Sequence, residues 1–458
     1  MNELKFLSVT GNLGYGFNES SLNEGKKRNP NMIGADNGST DPGPYYLGSG
    51  EQLTREGQVK RDLRHSLAAA RDLDVPYVIG SAGTGGGKAH VNAFLKILYE
   101  IVEEENYNFN LACINAEIDR NIIKQAIKKG KVKPYGKIPQ LTEKMVDDAS
   151  CIVGQMGVGP FMKAYDKNAD VIIAGRSCDT AIYASLAAYK GFDLGLAFHM
   201  AKIIECGAQC AIPLAANDCI LGTLRADHFE LEPMNRIQKL TPTSVAAHMM
   251  YEQPDPYLLY EPEGLVNLKD SEIVSLADNR VRVSGSNFTK SQNPTIKLEG
   301  AELCGYRAIT IAGMTDPRLI SKIKYIEEKV KKEVEFLSDS FVDKKDFQLR
   351  FINYGLNSVT LSNHNKPDDP KEIGLIIEAI APNQEIANTI LSLARSSYLH
   401  CDFEGRIATA GNLAFPFSPS DFQGGPVYKF SVYHLMEVDD IDNIFDVTVS
   451  SVSERMFI

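Results

Sequence analysis

Val78-Ile79-Gly80-Ser81-Ala82-Gly83-Thr84-Gly85-Gly86-Gly87-Lys88 reads as the end of a buried strand, a glycine-rich turn and the first turn of a helix that carries on through Ala93-Phe94-Leu95. Successive glycines let backbone N–H groups converge on one point, and a helix start adds partial positive charge there. That combination suits a phosphate or a carboxylate. Two other stretches share the construction: Ala35-Asp36-Asn37-Gly38-Ser39-Thr40-Asp41-Pro42-Gly43-Pro44 and Ile172-Ile173-Ala174-Gly175-Arg176-Ser177-Cys178-Asp179-Thr180. Each follows a predicted strand. The chain is therefore expected to gather three polar loops beyond the carboxyl ends of the strands of one sheet.

Working outward, Leu4 to Val9, Met32 to Asp36, Pro76 to Gly80, Leu111 to Glu117 and Asp170 to Ala174 read as strands. Helical spacing falls between them at Thr54 to Leu73, His90 to Glu105 and Asp119 to Lys129, and after them at Thr180 to Tyr189 and Leu194 to Cys210. Such alternation predicts an α/β fold, a mostly parallel sheet with helices on both faces, over residues 1–230. From 231 to 300, prolines and short strands (Glu272 to Leu276, Arg280 to Gly285, Thr295 to Leu298) predict a β-rich lobe or insertion. Residues 301–458 run strand, helix, strand, strand, helix, strand, the order of a ferredoxin-like α+β domain. Its first helix, Asp316 to Leu337, has Asp316 as cap and Pro317 in its first turn.

A chain of 458 residues exceeds one ordinary core, and 43% hydrophobic with 23% charged residues places it among globular proteins. The net charge of -11 argues against nucleic-acid and anionic-membrane partners. The lysine-rich stretch Lys124 to Lys137 reads as a solvated helix face. No secretory signal is recognised, no apolar run reaches the roughly 18 residues of a membrane span, and the eight cysteines follow no disulfide framework. A cytoplasmic protein with reduced thiols is expected.

The first loop holds Asp36, Ser39, Thr40, Asp41 and Tyr45 among glycines and prolines, so Asp36 and Asp41 are candidates to divide acid and base roles. The bland alternative is an Asx turn that satisfies loop N–H groups. In the second loop, Gly80, Ser81, Gly83, Thr84 and Lys88 are candidate anion ligands. It is not a P-loop, because Ala82 stands where the first glycine belongs and Ala89 where a magnesium-binding Ser or Thr belongs. The other reading of its glycines is close strand–helix packing. In the third loop, Arg176 suits bidentate grip on a carboxylate or phosphate, and Asp179 is a catalytic carboxylate or a helix cap. Glu117 and Asp119 with Asp36, Asp41 or Asp218 would suit magnesium or manganese better than zinc, though carboxylates at strand ends also serve as caps; no metal is assigned. Cys206 and Cys210 share one face of an apolar helix and read as core. Neither HExxH nor GxSxG occurs.

Thr10-Gly11-Asn12-Leu13-Gly14-Tyr15-Gly16, Asp36 through Gly48, Ile79 through Gly83, Ala174 through Asp179, Asp218 through Phe229 and Gly305-Tyr306-Arg307 resemble the acyclic terpene utilisation (AtuA) family. Cys178 departs from the aromatic residue expected there. The resemblance implies a catabolic role and a carboxylate or acyl-CoA ligand, and it adds weight to Asp218, Arg225 and Arg307, which lie inside the matching motifs. The reading is an enzyme that moves a proton next to the carbonyl of a small branched carboxylate or its CoA thioester, a hydratase, dehydratase or isomerase. Asp36, Asp41, Asp179 and Arg176 are its catalytic candidates. The alternative is a non-catalytic ligand-binding or partner subunit; a homo-oligomer is compatible with either.

Overall fold

The computed structural model describes residues 2–214, 217–252, 254–356, 358–359, 370–407 and 410–453. They gather into two compact units, residues 1–302 with 430–458, and residues 303–429.

The first unit is built on a ten-stranded sheet. Five parallel strands form its centre, in the order Glu3–Ser8, Met32–Asp36, Tyr77–Gly80, Val171–Ala174, Asn108–Ile114. Every residue of the middle three is buried, as continuous apolar strands require when both faces are covered. Helices Glu56–Leu73 and Lys88–Glu105 bury Val59, Leu63, Leu67, Phe94 and Leu98 in one core with Ile33, Ile79 and Ile173. Helix Asp179–Tyr189 covers the opposite face, where Gly34 and Gly80 let Ile182 approach the strands. The expected α/β architecture is present, and the parallel strands form the centre of a mixed sheet.

Hairpins extend it, because an antiparallel strand joins an edge without a crossover helix. Ile220–Arg225 pairs with Glu3–Ser8, followed outward by His228–Pro233, Val281–Ser284 and Glu272–Ser275, while Val447–Ser453 borders Asn108–Ile114. The β-rich stretch is thus divided: part widens the main sheet, and Leu258–Glu261, Gly264–Asn267 and Asn287–Lys290 form a separate three-stranded sheet. Two expected strands prove to be one, Thr295–Met314, running through Gly300, where Val432 packs too closely for a Cβ. Its first residues pair with Cys151–Gln155, a strand the sequence reading did not include. The apolar helix from Leu194 ends at Ile204, before a 3-10 turn that begins at Gly207 with φ +62.

In the second unit the sheet order is Gln348–Tyr354, Ile373–Ala381, residues 303–314, residues 421–429, with antiparallel pairing on both sides of Ile373–Ala381. Ile373, Leu375, Ile377 and Ala379 alternate onto the covered face. They meet Ile326, Val330 and Val334 of helix Ile323–Ser338 and Ile390, Leu391 and Ala394 of helix Gln384–His400. Asp316 caps the preceding turn, accepting from the Arg318 N–H at 2.9 Å. Among the described residues, no helix is long and apolar enough to cross a membrane.

Candidate functional site

The three polar loops meet at the carboxyl ends of Met32–Asp36, Tyr77–Gly80 and Val171–Ala174. Asn37 ties the first to the second: its N–H donates to the Gly80 carbonyl at 3.0 Å, and its Oδ1 accepts from Gly83 N–H at 2.6 Å. The second joins the third through Ser81 N–H to the Gly175 carbonyl at 3.1 Å and Arg176 Nη1 to Ser81 Oγ at 3.2 Å. The turn is strained, with Ser81 at φ +44 and Thr84 at φ +89. The contact between Ser81 and Arg176 holds one of them; Thr84 Oγ1, accepting from Leu53 N–H at 2.9 Å, holds the other.

At the centre is Glu299, fully buried. Its Oε2 accepts from Arg176 Nε at 2.7 Å, and its Oε1 takes Lys297 Nζ at 2.9 Å and the Thr40 hydroxyl at 3.0 Å. Burial opposes the charge on Glu299, but Arg176 and Lys297 outweigh it and hold its pKa down to about 2. Burial likewise works against the Arg176 cation, and Glu299, with Asp179 and Asp36, reverses the effect and raises its pKa.

Next to this triad stands an acidic group. Arg176 Nη1 is 4.0 Å from Asp179 Oδ1, and Asp179, Glu205 and Glu252 bring carboxylate oxygens within 4.8 Å of one another. Lys202, on a helix that is apolar apart from it and His199, reaches Glu205 at 2.7 Å and Glu252 at 3.4 Å. Asp36 is 6% exposed and its Oδ1 has no hydrogen-bond partner among the described residues. Burial, then the charges of Asp179 and Glu205, raise its pKa well above the usual carboxylate range, against the pull of Arg176.

A cavity of about 600 Å³ is lined by Cys178, Glu261, Lys290 and Lys297 among apolar walls that include Pro262 and Leu265; Asp36, Arg176 and Asp179 do not line it. Glu261 accepts from Thr180 Oγ1 at 2.8 Å; burial, then Glu263, push its pKa up to about 8, so it is largely protonated at neutral pH. Burial and Glu261 also raise the Cys178 thiol, which disfavours a thiolate there.

The remaining candidates are placed as follows. Asp41 is exposed; it accepts from Ser39 Oγ at 2.6 Å and its N–H donates back to Ser39 Oγ at 3.1 Å, a local serine turn, while its neighbour Thr40 turns inward to Glu299. Tyr45 stacks edge-on against Tyr46, at 5.4 Å between ring centroids. Lys88 is exposed, and its N–H, at the helix start, donates to Glu117 Oε1 at 2.7 Å. Gly83, Thr84, Gly87 and Lys88 all direct their N–H groups at acceptors of this chain. The glycines also permit close packing: a Cβ on Gly38 would overlap Thr84, and one on Gly86 the backbone of Arg176.

Asp218 accepts from Asn18 and Asn235, both at 2.8 Å, and braces the loop before Ile220. Arg225 pairs with Glu3 at 2.9 Å and Glu230 at 3.2 Å; it lies opposite Glu3 in the ladder, at the amino-terminal edge of the parallel strands. Arg307 belongs to the second unit, where it meets Glu378 at 2.6 Å. Glu117 and Asp119 do not gather with Asp36: the first caps Lys88, and the second caps its own helix through Asn121 N–H at 2.7 Å.

The titration behaviour predicts a stability optimum. The pKa of Glu299 is depressed from 4.5 to about 2, so its contribution is complete above pH 4.5 and is lost as pH falls through about 2. Glu205 and Glu261 are raised from 4.5 to about 7 and about 8; their contributions are complete below pH 4.5 and are lost as pH rises through those values. The thermal midpoint should be highest near about pH 5 and fall toward pH ~8, with Glu261→Gln flattening the alkaline limb. A wild-type midpoint that keeps rising to pH ~8 would contradict the burial of these carboxyls.

Neither the search of curated proteins nor the search of solved structures gave a match. The family profile described as "Acyclic terpene utilisation family protein AtuA" matches residues 58–216 and 233–410, which include the Ser81, Arg176, Glu205 and Glu299 segments. That match covers most of the length and both compact units, and the chain belongs to the acyclic terpene utilisation family.

Proposed function

We propose that the chain is a catabolic enzyme of the acyclic terpene utilisation type, acting on a small branched carboxylate or its CoA thioester by moving a proton next to the carbonyl, as a hydratase, dehydratase or isomerase does. The observation that carries this reading is Asp36, a buried carboxyl with an unpartnered oxygen beside Asp179 and Arg176, at the strand ends where such sheets hold ligands. A carboxyl so placed suits a proton taken up and returned. The cavity suits the substrate class, with apolar walls for a branched chain and Lys290 and Lys297 for its anionic end; Asp36 does not line it, so the reading requires the substrate to reach past Cys178 to the strand ends. Abstraction of the proton leaves an enolate, for which Lys297 and Arg176 are the fixed cations of the neighbourhood. Of the carboxylates in the first loop, Asp36 fits the role and Asp41, in solvent, does not.

We also read the second unit as ferredoxin-like. Its strand–helix–strand–strand–helix–strand order and its sheet order support this.

The test is mass spectrometry of any small molecule that stays with the full-length protein, followed by turnover of that molecule or its CoA thioester. Asp36→Asn keeps the shape of the side chain and should lower kcat by about 100-fold or more while the ligand still binds. Unchanged turnover in Asp36→Asn would remove Asp36 from the chemistry. Binding with no turnover in wild-type protein would favour the ligand-binding subunit instead.

A further inference from the structure

The cavity beside Cys178 carries a single carboxyl group in its wall, that of Glu261. Glu261 is buried, and among the described residues no cation forms an ion pair with it. The Thr180 hydroxyl donates to its Oε2 at 2.8 Å, and its Oε1 accepts no hydrogen bond among the described residues. Burial first, then the charges of Glu263 across the hairpin turn and of Asp179 at the helix start, favour the neutral acid. Thr180 and Lys202 of helix Leu194–Ile204 favour the anion and are outweighed. Cys178, Lys290 and Lys297 complete the titratable groups that line the cavity with it, apart from Tyr135 and Tyr260. Since Oε2 is the acceptor from Thr180, the acid proton belongs on Oε1.

The small three-stranded sheet sets what stands opposite that proton. Glu261 pairs directly with Gly264, and Gly264 pairs directly with Lys290. Paired residues present their side chains to one face, and all three of these line the cavity. Neighbouring strands lie about 4.8 Å apart, so Glu261 and Lys290 stand about 10 Å apart along the row. Only a glycine separates them. Lys290 is exposed and forms no ion pair among the described residues. The row thus offers an acid O–H, a gap without a side chain, and a cation. A carboxylate placed there meets a donor at one oxygen and a counter-charge at the other, whereas an ionised Glu261 would repel it.

We propose that Glu261 recognises the ligand by donating a hydrogen bond to its acyl oxygen, with Lys290 as the counter-charge of a free carboxylate, an assignment that rests on the substrate class proposed above. A CoA thioester presents the same acyl oxygen without the charge, so both forms share the contact with Glu261. A donor at that oxygen also draws electron density from the carbonyl, which makes the proton next to it easier to remove.

The experiment titrates full-length protein by isothermal calorimetry with isovalerate and, separately, with isovaleryl-CoA, at about pH 6.5 and about pH 9. The form that binds more tightly identifies the ligand. Glu261 has a pKa of about 8, so wild type should bind about tenfold more weakly at the higher pH and take up a proton on binding there. Glu261→Gln keeps a donor but has no proton to lose. Its affinity should lie within about threefold of wild type at the lower pH and stay the same at the higher. Glu261→Ala should bind about tenfold more weakly at the lower pH. Lys290→Ala should weaken isovalerate binding at both pH values and leave their ratio unchanged. Wild-type binding that ignores pH, or a pH dependence that survives in Glu261→Gln, would overturn the role of Glu261 and leave the substrate class standing. If neither probe binds at up to about 10 mM, the substrate class falls and Glu261 with it. Should Glu261→Gln fail to fold, wild-type heats in two buffers of different ionisation enthalpy decide the matter, and no proton uptake at about pH 9 overturns the proposal.

Discussion

Glu299→Ala should lower the unfolding free energy by about 3–5 kcal/mol. The substitution does more than delete contacts. Arg176 is 4% exposed and Lys297 reaches the same carboxylate, so removing it leaves two cations with their nearest counter-charge gone. Thr40 loses its acceptor as well, and the first loop loses its tie to the third. Urea denaturation should show the midpoint shifted with little change in slope. A triple replacement, Arg176→Met and Lys297→Met with Glu299→Leu, should recover much of the loss, because three apolar side chains remove the charges and their desolvation together. A loss below about 1 kcal/mol for Glu299→Ala would mean that the carboxylate is solvated, and the centre of the site would have to be redrawn.

Gly86→Ala should cost about 2–5 kcal/mol, from two independent sources. The residue sits at φ +67, where an L side chain is disfavoured, and a Cβ there would overlap the Arg176 backbone nitrogen, which donates to the Gly86 carbonyl at 3.2 Å. Neither partner is the tip of a flexible side chain, so the second and third loops would have to separate. Gly191→Ala separates the two terms, because Gly191 has φ +77 and open space around it. That control should cost only about 1 kcal/mol. Equal losses at the two positions would show that the loops do not pack as closely as described.

Much of this was visible in the residue order, and the rest could not be. Tyr77–Gly80 and Val171–Ala174 announce themselves as short apolar runs ending in glycine and a polar loop, and parallel strands require their loops to emerge on one side. Pattern alone therefore puts Ser81 and Arg176 at neighbouring strand ends, where Arg176 Nη1 meets Ser81 Oγ. Pattern does not place Glu299, since its contact with Thr40 spans 259 positions and nothing local records it. A signal existed: Lys297 and Glu299 alternate with Ile296 and Leu298, which puts two charges on one side of a buried strand. Lys202 and Glu205, at the end of a helix whose other residues apart from His199 are apolar, give a second. The glycine loop was legible as a turn, but not that Glu117 and Asn37 would occupy its N–H groups, because both partners come from other strand ends.

The left-handed backbone at Ser81 and Thr84 has a consequence for how stiff the strand ends are. A threonine with φ +89 keeps that shape only because its neighbours leave it no other, so the turn is set when the protein folds. If the proposed ligand docks against these strand ends, it meets a mould that is already hard, and little disorder is left to lose.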